Sequence, residues 1–146
     1  MNLGKQLYDL QQVDLDLDSK AEELRRIEEQ LSDDTVLKQA QAELEKEQDY
    51  LADLEKKQKR AEWTVDDLEA KLKPLQDKLY AGSVKNPKEL VSQQQQVEDL
   101  KKQIRSEEDE ILEIMSQVEV SQKEISSKAA EVKRVKGEWQ KRQDEL

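Results

Sequence analysis

The sequence contains no cysteine, no histidine and no phenylalanine, and only three glycines and two prolines among 146 residues. Lack of cysteine excludes disulfides and any thiolate zinc site in this chain. Lack of both histidine and cysteine removes the usual nucleophile and base pairs, and no glycine-rich phosphate loop is present. The many carboxylates fall on helix faces open to water, where nothing raises their pKa, so catalysis is not expected. Aromatic residues make up 3%, too few for a stacking surface. No run approaches the roughly 18 apolar residues of a membrane span, and the first residues carry no basic-then-apolar signal segment. The expected location is the cytoplasm, with no membrane partner, since acidic helices bind membrane surfaces poorly.

Charge is what the chain has in quantity. Charged residues account for 41% and hydrophobic ones for 34%, with a net charge of −10 and a pI near 4.7. This profile fits either a disordered polyelectrolyte or long paired helices, and the spacing of the apolar residues decides between them. Leu3, Leu10, Leu17, Leu24 and Leu31 recur every seven residues. A second series, Leu37, Leu44, Leu51, Val65, Leu72 and Leu79, is interrupted only by Gln58, and Ala40, Leu54, Ala61, Leu68 and Leu75 supply its companion row, interrupted by Glu47. The last third is the most regular: Leu90, Val97, Ile104, Ile111, Val118, Ile125, Val132, Trp139 and Leu146. Its companion row mixes Leu100, Ile114 and Val135 with Gln93, Glu107, Ser121, Lys128 and Arg142, which predicts a thin, partly wet seam.

Between the periodic blocks, Tyr80-Ala81-Gly82-Ser83-Val84-Lys85-Asn86-Pro87 combines Gly, Ser, Asn and Pro and reads as a turn. Gly82 suits the left-handed residue that ends a helix, Asn86 an N-cap and Pro87 the first helical position, with Glu89 placed for a capping box. The predicted fold is all-α, a long antiparallel two-helix coiled-coil hairpin with a first arm over 1–81, a turn over 82–86 and a second arm over 87–146. Two irregularities are expected in the first arm. The step from Leu31 to Leu37 is six residues, and Ser32-Asp33-Asp34-Thr35 are residues that cap helices, so a kink or break is predicted there. Pro74 should bend the helix again.

Folding back near residue 84 sets 120–146 against about 22–48. Residues 22–48 hold nine acidic and four basic side chains, and 120–146 hold five and seven, so opposite signs face each other. A first arm of some 80 residues is about 120 Å long and outruns the second. Leu3, Leu7, Leu10, Val13 and Leu17 then form an apolar stripe facing water. Fraying or a homodimer contact would account for it, but the favoured reading is that the natural C-terminus continues along the stripe, since heptad spacing runs to Leu146 with no helix stop.

Other features carry plainer readings. Gly82, Lys85, Asn86, Pro87 and Lys88 form the candidate partner-binding tip, although a tight connection alone would use the same residues. Lys133, Arg134, Lys136, Lys141 and Arg142 could contact phosphates, but on so acidic a chain they pair more simply with the first arm. Trp139 occupies a core heptad position, Trp63 points away from the seam, and the four glutamines Gln93 to Gln96 are ordinary helix surface.

The tip Leu79 to Leu90, the following Val97-Glu98-Asp99-Leu100-Lys101, the opening Leu7 to Asp14 and the stretch Glu107 to Met115 together resemble a bacterial family with a coiled-coil hairpin followed by a four-cysteine zinc ribbon. The resemblance implies a non-catalytic adaptor or chaperone-like rod binding a protein client. It also implies links to nucleic acid through the ribbon, to an RpoN-type sigma factor, or to flagellar and type III export components. This chain departs from the pattern in having no cysteine, so zinc is expected only in a ribbon beyond it, and nucleic acid is not an expected partner of these 146 residues. Two alternatives stand: a spacer arm for a nucleic-acid-associated ribbon, and a purely structural parallel dimeric coiled coil.

Overall fold

The computed structural model describes residues 2–145. Two helices account for nearly all of them: α1, Leu3–Tyr80, of 78 residues, and α2, Pro87–Glu145, of 59 residues. No strand occurs among the described residues. The fold is an all-α coiled-coil hairpin, organised in two compact units.

The unit Lys46–Ser126 contains the turn. Here α1 closes in a Schellman motif. The Gly82 N–H bonds the Leu79 carbonyl at 3.3 Å and the Ser83 N–H reaches the Lys78 carbonyl at 3.4 Å, which requires the left-handed Gly82, φ 66°. Asn86 starts α2: its Oδ1 accepts the Lys88 N–H at 3.0 Å. The cap bond therefore goes to the second helical residue and not to Glu89 as a capping box would have it. Leu54, Ala61 and Val65 of α1 and Val97, Ile104 and Ile114 of α2 are buried. These are heptad positions, and burial of each Leu, Val or Ile among them contributes about 1.5–3 kcal/mol. Their neighbours in the same rows are half-buried, as expected when only two helices share a core.

The other unit comprises residues up to Glu45 and from Ser127 onwards. Val135 is its buried α2 residue, and Val132 and Trp139 are half-buried; Leu146, the last of that row, lies outside the described residues. Of the kink or break expected at Ser32–Thr35, the break does not occur, since α1 runs continuously through it. Asp33 and Asp34 act as acceptors for α2, and Thr35 Oγ1 donates back to the Leu31 carbonyl at 2.9 Å, so none of the four caps a helix. Pro74 likewise lies inside α1 without ending it.

The register of this unit also differs from simple fold-back counting, which sets Arg142 against residue 26. Arg142 instead pairs with Asp33, Trp139 Nε1 donates to Asp34 Oδ1 at 2.7 Å, and Gln30 donates to Gln143 at 2.9 Å. Side chains lean toward the N-terminus of their own helix. In an antiparallel pair this moves contacts toward α1 residues of higher number by only about two positions, less than the offset seen here, whereas Ser121 and Glu47 keep the simple counting. Cover over α1 stops near Gln30.

Candidate protein-interaction surface

From Leu3 to Glu29 every side chain of α1 is exposed. The expected stripe is therefore present and longer than the arm-length argument implied: Leu3, Leu7, Leu10, Val13 and Leu17 are all more than half exposed, and so are Leu24, Ile27 and Leu31. Leu31 is informative because it stands beside the end of α2 and is still 62% exposed. The half-buried residues at that level are Gln30, Asp33 and Asp34, the ones that bond α2. Successive helix residues are about 100° apart around the axis. The six-residue step between Leu31 and Leu37 rotates the leucine row by one such increment relative to the face that α2 covers. Gln30, Asp33 and Asp34 were not expected as contact residues, because acidic Ser/Asp/Thr runs also cap helices. The signal in the sequence was the step of six, which is a phase shift and not a break.

The stripe is not purely apolar. Its companion row reads Leu7, Asp14, Ala21, Glu28, and residues 3–31 carry eight acidic and four basic side chains. Inside the hairpin, comparable irregular positions are matched: Ser121, 1% exposed, donates its hydroxyl to Glu47 Oε1 at 2.9 Å. Each of these interrupts a companion row in the sequence, and the structure sets them together. Gln93 is less well served, with a buried Oε1 that has no protein partner.

At the tip, Gly82, Lys85, Asn86, Pro87 and Lys88 are exposed, while Val84 is half-buried. Gly82 and Asn86 have defined backbone duties there. Nearby, Lys71, Pro74, Leu75 and Lys78 of α1 and Gln96, Asp99, Leu100 and Gln103 of α2 line an open cleft of about 540 Å³. In the C-terminal basic run, Arg134 is bound by Glu131 and by Glu138, the latter at 2.9 Å. Arg142 is bound by Asp33. The hydrogen bond from Arg134 holds Glu131 below the ordinary carboxylate range, and the arginine is raised in return. Arg142 thus pairs with the acidic first arm, as expected, whereas Arg134 pairs with carboxylates of its own helix. Trp63 is 64% exposed, away from the seam.

Among the described residues no helix is long and apolar enough to cross a membrane. No curated protein and no solved structure matches the chain. The model of the CT398-like coiled coil hairpin domain does match, over residues 10–146. With two packed heptad helices, a capped turn and a match over nearly its whole length, the chain belongs to the CT398-like coiled coil hairpin domain family.

Proposed function

We propose that this chain is a non-catalytic, cytoplasmic interaction hairpin, adaptor or chaperone-like, that binds a protein client through the leucine stripe of its N-terminal segment. One observation carries the reading. Heptad leucines along the rest of α1 are buried or half-buried, whereas Leu3, Leu10, Leu17, Leu24 and Leu31 keep the same period and remain 60–73% exposed. An apolar row of this regularity has the spacing that packs against another helix. The family match supports a helical interaction role in general terms. The alternative of a spacer arm for a zinc ribbon that contacts nucleic acid rests on the resemblance alone, and the ion-paired Arg134 and Arg142 do not favour it for these residues.

Affinity capture tests the proposal, using the wild-type chain beside a Leu10→Ser/Leu17→Ser/Leu24→Ser variant and a Lys85→Glu/Lys88→Glu variant. Polypeptides retained by the wild type and the tip variant but lost from the stripe variant support it. A capture profile unchanged by the stripe substitutions overturns it.

A further inference from the structure

The stripe presents a defined chemical problem to whatever covers it. Its two rows are Leu3, Leu10, Leu17, Leu24, Leu31 and Leu7, Asp14, Ala21, Glu28, so a helix packed on the leucines also shields two carboxylates. A shielded carboxylate without a donor costs several kcal/mol. At three of its half-buried carboxylates this chain supplies donors: the Ser121 hydroxyl for Glu47, the Trp139 indole N–H for Asp34 and the Arg142 guanidinium for Asp33. The last two come from the α2 turns that lie on the acidic part of α1.

Resting on the interaction reading above, we infer that the element seated on the stripe is a separate, basic amphipathic helix. It carries apolar residues at heptad spacing and Lys or Arg at two seam positions 14 residues apart, about 21 Å, facing Asp14 and Glu28. A separate helix is required because α2 lies on the face of Gln30, Asp33 and Asp34, about 100° around α1 from Leu31. A cationic helix is required because residues 3–31 carry eight acidic side chains against four basic ones. A second copy of the same segment answers poorly. In parallel it sets Asp14 against Asp14 and Glu28 against Glu28, and in antiparallel only Lys20 of its cations shares a heptad row with stripe residues, Val13 and Ile27, whereas Lys5, Arg25 and Arg26 do not.

Two designed four-heptad peptides test the inference by fluorescence anisotropy with the full chain at physiological salt. Both carry leucine heptads. One has Lys, the other Glu, at two companion-row positions 14 residues apart. The Lys peptide is expected to bind at least tenfold more tightly than the Glu peptide. The preference is expected to fall to within about twofold in an Asp14→Asn/Glu28→Gln variant, and binding to be lost in Leu17→Ser/Leu24→Ser, with helicity by circular dichroism unchanged in both. Equal binding of the two peptides overturns the cationic requirement. A wild-type chain that is dimeric by light scattering, and becomes monomeric in Leu17→Ser/Leu24→Ser, overturns the separate partner in favour of a second copy. Failure of the peptides alongside stripe-dependent client capture removes only the stated chemistry; failure of the capture removes the interaction reading itself.

Discussion

Ser121 is the most buried side chain among the described residues, and it is a hydroxyl in a row that mixes aliphatic and polar residues. Its single donor meets Glu47 Oε1, and hydrogen bonds to charged groups contribute more than neutral ones. Ser121→Ala should cost about 1–2 kcal/mol in urea unfolding, with most of the effect gone in a Glu47→Ala background, as a double-mutant cycle will report. The glycines separate in the opposite sense. Gly82 has φ 66° and open space where a Cβ would stand, so Gly82→Ala should destabilise by about 1–2 kcal/mol through the backbone alone. Gly137 is a helix-interior glycine with nothing near its Cβ position, and Gly137→Ala should stabilise by about 0.5–1 kcal/mol; thermal melts of the pair check both. Glu131, hydrogen-bonded by Arg134, titrates below its ordinary value of 4.5. A lowered folded-state pKa means that its contribution is present above the unfolded value and is lost as pH falls through the folded one. Carboxyl NMR titration should find Glu131 below 4.5 in the wild type and back near it in Arg134→Gln.

The two helices are long because little in the sequence interrupts them, and they tolerate what does. Pro74 removes one backbone donor inside α1, leaving the Ala70 carbonyl without its helical partner. It also lines the cleft with Leu75 and Leu100. Pro74→Ala should raise stability by about 1–3 kcal/mol, read as a higher melting temperature without loss of helicity. Ser32–Thr35 is the opposite case, with four cap-forming residues at a phase shift and no cap. The side-chain oxygens of Asp33, Asp34 and Thr35 are taken by α2 and by the preceding turn, so they offer the helix no competing local structure to stop it.

For the molecule as a whole, the distinction between covered and uncovered heptads is also a distinction between stability and recognition. Leu10→Ser and Leu17→Ser remove side chains that are 60% exposed and should shift unfolding free energy by less than about 0.5 kcal/mol each. Ile104→Ala, at a buried position in the same kind of row, should cost about 2–4 kcal/mol. Denaturant titration of the three variants measures the contrast. If the stripe substitutions cost as much as the core one, the N-terminal leucines are holding the fold and are not a free surface.

Periodicity and turn chemistry are local properties, legible along the chain without its partner segment: two heptad helices, a turn closed by Gly82 and opened by Asn86, and a seam with polar interruptions at Glu47, Gln93 and Ser121. Tertiary structure decided which interruptions meet, because pairing depends on register between segments some 70 residues apart in the chain. It also decided how far cover extends. The contact of Arg142 falls on Asp33 and not on residue 26, and Leu3 to Glu29 are bare. The one-residue phase shift after Leu31 was visible as a number in the sequence. Only the packing of α2 on Gln30, Asp33 and Asp34 gave it a direction, turning the leucine row away from the second helix and toward solvent.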